Sequence, residues 1–360
     1  MAKPPPVVSS ALSRLALVAA LAVVTRAPIL QAQDPLPSDV SFAIRRAWLE
    51  DLLTGGPGGR TVGLRWAAEM KMGERSNVHG LSADCELHVA ARLPNNRLIA
   101  APRGLVVEPP NVCRRRVPQI SQTGAIGDAW TAYFDANVKD ETCTVTGFPR
   151  IFTEHSAGGG GSGSNPDHVV EVHPVSELRC GADTINFVPL IRIFAGMRKI
   201  QANSARTCLE DRTLEVRQRG SGDQIRYEFA EAGAKGSGGS CGNFAVLDAH
   251  IGKDYLREMT NGGDYAALAQ AWIGDSGPFP LKVYAYKGTA VGDSIAALLA
   301  NPDDLAELRL SVHGLFTYDY FTIAQTIQDD ARQWLPADSL KVWKPVPKPL
   351  AFVIYGLAQP

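Results

Sequence analysis

From residue 60 onward apolar and polar side chains alternate, the period-2 pattern of strands with one buried face. Segments 61–72, 84–93, 98–108, 141–154, 169–178 and 185–195 carry the pattern, and turn clusters such as Pro94-Asn95-Asn96 and Pro109-Pro110-Asn111 separate them. Residues 128–138, which hold Trp130, Tyr133 and Phe134, read as one interposed helix. Ahead of the strands, Ser38 or Asp39 caps a helix through Phe42, Ile44, Ala47, Trp48 and Leu52, and the glycine-rich run 55–59 stops it.

Five or six strands with a single helix between the third and fourth is the chain order of a small closed β-barrel of the OB type. Such an OB-like barrel is expected over residues 60–200. Further on, 213–219, 224–230, 243–250, 281–287 and 308–323 read as strands, and 255–259, 265–273 and 294–299 as helices. His313-Gly314 predicts a bulge or tight turn inside the last of those strands. The fold class is therefore mainly β with some α: the OB-like barrel followed by a second β-rich α+β domain over 205–330, either another barrel or a sheet with packed helices. Residues 34–59 form an N-terminal helix and linker, and 331–360 a C-terminal extension. In that extension the proline-spaced run Lys344-Pro-Val-Pro-Lys-Pro349 leads into apolar residues 350–355, read as a strap that lays a final strand on a domain surface.

Compartment follows from the start of the chain and from the cysteines. Lys3 and Arg14 precede an apolar run at 15–24, and the small residues Ala27 and Ala32 follow, which predicts a secretory signal peptide over 1–33. That run is shorter than the roughly 20 residues that span a bilayer, and no later segment is longer and apolar, so no membrane span is expected after cleavage. The six cysteines, Cys85, Cys113, Cys143, Cys180, Cys208 and Cys241, predict disulfides in a periplasmic or secreted protein. Locality along the chain favours Cys113 with Cys143, Cys85 with Cys180, and Cys208 with Cys241. Lys+Arg 36 against Asp+Glu 37 leaves a formal net charge of -1, so no global field draws the chain to nucleic acid, and no nucleic-acid partner is expected. The one dense basic cluster, Arg114-Arg115-Arg116, reads as a solvated turn.

Candidate chemistry is sparse. Gly238-Gly-Ser-Cys-Gly242 fits the G-x-S-x-G nucleophile pattern with Ser240 at its centre, but no strand leads in and no helix leads out, so a loop tied by Cys241 is the better reading. Neither a C-x-x-C pair nor a phosphate-binding G-K-[ST] is present. Three of the seven histidines, His155, His168 and His173, flank a glycine-serine loop at 156–164. Residues two apart share a strand face, so Glu86 with His88, and Glu171 with His173, each form a pair, with His168 expected on the opposite face. Two such pairs on one sheet would gather two imidazoles and two carboxylates, a set that suits zinc with a coordination position left open for hydrolysis. A carboxylate that orients a histidine is equally an ordinary structural device. The structural reading is preferred, which makes the expected function that of a binding or structural protein of unknown ligand, with a metal-dependent hydrolase as the rival.

The run Gly147-Phe-Pro-Arg150, Glu154-His155, Asn165-Pro-Asp-His168 and Glu171-Val-His-Pro174 resembles a segment of exported bacterial proteins without an established function. The resemblance spans about 30 residues and implies an OB-like barrel and a bacterial origin; it carries no catalytic residue with it.

Overall fold

Strand β1 (Phe42–Arg45) and helix α1 (Arg46–Thr54) occupy the stretch expected to be helix throughout. The helix starts late because Phe42, Ala43 and Ile44 pair with a strand from mid-chain, and Phe42 stacks on Phe229 at 4.6 Å between ring centroids. The computed structural model describes residues 36–360 except 55–59, 63, 81, 95–103, 156–161, 233–240, 260–263, 301–306 and 359–360. The expected signal peptide, most of the glycine-serine loop and Ser240 lie outside the described residues.

A short β2 (Arg60–Val62) leads into the first barrel, made of β3 (Arg65–Arg75), β4 (Val89–Arg92), β5 (Gly104–Val107), β6 (Thr142–Ile151) and β7 (His168–Cys180). Around the barrel the order is β3-β4-β5-β7-β6, and β6 pairs back to β3 to close it. The β5–β7 pair is parallel and the other pairs are antiparallel. Helix α2 (Ile126–Asn137) lies between the third and fourth of these strands and buries Trp130, Tyr133 and Phe134. This is the OB arrangement expected for this region. Strand β8 (Asp183–Asn186) adds to β7 and ends early, because Pro189 lacks the N–H a longer strand would need and a 3-10 turn follows at Val188–Leu190.

Helix α3 (Ala202–Asp211), β9 (Thr213–Arg219) and β10 (Arg226–Ala232) come next. The second barrel then forms from β11 (Ala245–Glu258), β12 (Tyr265–Ile273), β13 (Ser276–Ala285) and, after α4 (Ala290–Ala300), β14 (Glu307–Tyr318). Helix α5 (Tyr320–Ile327) and β15 (Lys344–Val346) precede its last strand, β16 (Leu350–Leu357). The order β11-β12-β13-β16-β14, with β13–β16 parallel and a helix between the third and fourth strands, repeats the plan of the first barrel. A four-stranded sheet, β1-β10-β9-β15, stands beside the two.

Several expectations in this half need correction. Residues 265–273 are strand, not helix: alanine favours helices, but Ala267, Ala269 and Ala271 point inward on alternate positions where the barrel needs small side chains. Residues 255–259 likewise continue β11 instead of forming a helix. The run 308–323 is not one strand, because Asp319 caps α5 by accepting from the backbone N–H of Phe321 and Thr322. Within β14 the register does shift at His313/Gly314 as expected, and a side chain at Gly314 would collide with the carbonyl of Val353. The C-terminal strand is not laid on a surface; β16 is buried between β13 and β14 and completes the barrel.

The disulfides are Cys85–Cys113, Cys143–Cys180 and Cys208–Cys241. Only the third matches the expected pairing. Strand register decides the others: Cys143 and Cys180 face each other directly across β6 and β7, with 4.5 Å between Cα atoms. Replacing both Cys143 and Cys180 by alanine is expected to lower stability by about 2–5 kcal/mol, the usual loss for a native bridge. Urea denaturation of the double variant checks this.

Candidate functional site

The two barrels meet over an ionic cluster. Arg150, near the end of β6, lies directly opposite Glu171 of β7, and its Nη1 donates to Glu171 Oε2 at 2.5 Å. The remaining donors of Arg150 reach two carbonyls of the second barrel region and the nearby Glu154. Nε donates to the carbonyl of Phe316 at 2.9 Å, and Nη2 to that of Gly242 at 2.8 Å and to Glu154 Oε2 at 3.3 Å. Gly242 has to be glycine, because a Cβ there would collide with the Glu154 carboxylate.

His173 is the second hub. Its Nε2 lies 2.9 Å from Glu86 Oε1. Its Nδ1 stands 2.6 Å from Glu108 Oε2 and 3.5 Å from Glu171 Oε2, out of hydrogen-bond alignment with both, so these contacts are ion pairs. Glu108 reaches the cluster because β5 runs parallel to β7 and its N–H continues the ladder to the carbonyl of Val172. His88 Nε2 lies 3.4 Å from the other oxygen of Glu108, and the His88 ring packs on His79. Tyr355 of β16 closes the cluster from the second barrel, with its hydroxyl 3.5 Å from Glu86 Oε1.

All six residues expected to form a site, Glu86, His88, His155, His168, Glu171 and His173, are therefore neighbours. His168 joins from the face expected to be opposite. The β5–β7 register slips between His168 and Val170, and the bulge turns His168 Nε2 to within 2.9 Å of Glu171 Oε1. His155 stacks on His168 at 5.0 Å between centroids and sits 3.3 Å from Glu154. Sequence reasoning missed Arg150, Glu108 and Tyr355, which meet the others only through strand register and barrel closure.

Burial and neighbouring charge set the protonation. Burial drives the Glu86 carboxyl up to about 8, against the opposing charge of His173. Burial also works against the charge of Glu108, yet His88 and His173 outweigh it and hold that group down at about 2. Glu171 shows the same contest, and Arg150 first, then His168 and His173, keep it well below the ordinary carboxylate range. His173, which burial alone would make neutral, is raised well above the usual imidazole value by Glu86 and Glu108. At the centre, carboxylates Glu108 and Glu171 face the cations Arg150 and His173, Glu154 adds a second carboxylate on Arg150, and burial disfavours the charge of Glu86.

Metal-ligand spacing is present as well. Donor atoms of Glu108, Glu171 and His173 lie within 4.8 Å of one another, as do those of Glu86, His88 and Glu108. The cavity among these residues is 40 Å³, room for one water molecule or an ion and not for an organic substrate. A larger recess, 580 Å³, lies elsewhere, between α3, β9, residues 279–281 and the proline-spaced tail.

No known protein family matches the chain, and no curated protein or solved structure matches it. Among the described residues no helix is long and apolar enough to cross a membrane.

Proposed function

We propose that this is an exported binding protein of two OB-like barrels, in which the histidine–glutamate–arginine cluster holds the barrels together and performs no hydrolysis. The observation that carries this reading is that Arg150 bridges the two barrel regions, donating to Glu171 of the first and to the carbonyls of Phe316 and Gly242 in the second. His173 has a carboxylate against each ring nitrogen, Glu86 on Nε2 and Glu108 on Nδ1, a contact set made within the protein itself. Binding is then a task for the recesses on the surface. Export is supported by the charged, apolar and small-residue pattern of the leader together with three disulfides. Intact mass of the native product should place its first residue between Pro28 and Asp34; retention of residues 1–25 would defeat this part.

The second reading, a metal-dependent hydrolase, is favoured by one feature, the carboxylate Glu108 shared between two sets of donor atoms. Zinc separates the readings. Melting curves with zinc or with a chelator should coincide. A saturable rise of one zinc per chain, abolished by both His88→Ala and His173→Ala, would overturn the structural reading, because a bound ion stabilises the folded state by mass action.

A further inference from the structure

The basic turn after Cys113 is a built recess. Arg114, Arg115 and Arg192 line a cavity of 280 Å³ together with Phe194 and Asn111, and among the described residues no acidic one lines it. Each arginine is held at its backbone. Asn111, only 3% exposed and in the left-handed region at φ 56, accepts at its carbonyl from the N–H of Arg114 at 3.1 Å. Its side-chain Nδ2 donates to the carbonyls of Leu190 and Arg192, at 2.5 and 2.6 Å. Trp130 Nε1 donates to the carbonyl of Arg115 at 2.6 Å, and the Cys85–Cys113 bridge anchors the turn next to Arg114. The Arg114 guanidinium lies over the Phe194 ring at 4.1 Å, a contact that orients its fork.

Three guanidiniums gathered this way repel one another. Burial first, then the charges of Arg115 and Arg114, make Arg192 less basic than usual. Among the described residues none of the three side chains has a carboxylate partner, whereas Arg116 next to them turns away to the carbonyls of Thr123 and Gly124. In a chain with formal net charge -1, this concentration of unpaired positive charge on a pinned scaffold calls for an anion from outside.

We propose that the Arg114–Arg115–Arg192 recess binds a small molecule through a phosphate or sulfate group, seated against the guanidinium forks. Guanidinium geometry matches such oxyanions with paired N–H donors. The volume accepts a small ester and not a folded partner. The inference rests on the binding reading above and names its ligand class; zinc tests that reading at the buried cluster, so failure there and failure here are separate results.

Titration calorimetry on the full chain, at physiological salt, with inorganic phosphate, sulfate, glycerol 3-phosphate and glycerol, tests it. Expected is saturable one-to-one binding of glycerol 3-phosphate and of one or both inorganic anions, and none of glycerol; which inorganic anion binds tighter identifies the group. Arg115→Gln and Arg192→Gln should each weaken binding by about 10-fold or more, the loss of a charge-assisted contact. Neither should lower the melting temperature without ligand, since the arginines are exposed and the substitution relieves their repulsion. Arg309→Gln, at an exposed arginine paired with Glu307, should bind like the wild type. Absence of saturable binding to any of the anions would overturn the proposal. So would equal weakening by Arg309→Gln, or binding of a DNA duplex in preference to the small anions, which would mark a diffuse basic surface.

Discussion

Replacing Arg150 by alanine is expected to destabilise the protein by about 3–5 kcal/mol, the loss that follows when one partner of a buried ion pair is removed and the other stays charged. Arg150 is buried, and every branch of its guanidinium is engaged: Glu171 on one side, the carbonyls of Phe316 and Gly242 on the others. Alanine would leave the Glu171 carboxylate with the imidazoles alone, and would remove the guanidinium donors from the carbonyls of Phe316 and Gly242. Because those carbonyls belong to the second barrel region, the loss should appear as weakened docking of the barrels as well as lower overall stability. Arg150→Lys should recover little, since a single ammonium cannot satisfy a carboxylate and two carbonyls placed around a planar fork. Urea denaturation of both variants checks this. A loss below about 1 kcal/mol, the range of an exposed pair, would show that the cluster does not hold the barrels.

Part of the fold was legible from strand-favouring runs set between turn signals. Strands β3, β6, β7 and β9 stand where the alternation placed them, and the helix between the third and fourth strands pointed to the closed first barrel. The second barrel was hidden by its own packing. Its β12 is alanine-rich because the interior takes only small side chains there, and a composition that favours helices was read as one. Its closing strand, β16, lies beyond a helix and an irregular segment, so pairing with β13 and β14 is a long-range event that no local pattern announces. The site divides in the same way. Glu171 and His173 were legible as a pair two residues apart on one strand. Arg150 was not, since it meets Glu171 only through the register of β6 on β7, nor was Glu108, which depends on the parallel pairing of β5 with β7. The same absence of register explains the two exchanged disulfide partners.

Glu86→Gln is expected to remove most of the fall in stability as pH rises from about 5 to about 8. The wild-type side chain is buried between His173, Tyr355, Asp84 and Glu108, and burial raises its carboxyl from 4.5 to about 8. Between those two values the folded state keeps a proton that the unfolded chain releases, so stability declines with rising pH and the decline is complete above about 8. His173 adds a loss of the same sign: its contribution is full below the ordinary imidazole value and disappears as pH rises through its raised folded one. Glu108 acts in the opposite sense, contributing above 4.5 and losing that contribution as pH falls toward about 2. The cluster's contribution is therefore greatest in mildly acidic solution. Glutamine keeps an oxygen to accept from His173 Nε2 and has no proton to release, so the variant loses the decline from Glu86 and keeps only the part of the His173 loss that Glu108 supports. The measurement is the difference in unfolding free energy between wild type and variant at several pH values, which cancels groups that titrate identically in both, such as His313. The two should converge below pH about 5 and diverge by a few kcal/mol at pH about 8, with the variant the more stable there. Parallel curves across that range would mean that burial does not hold a proton on Glu86 in the folded protein.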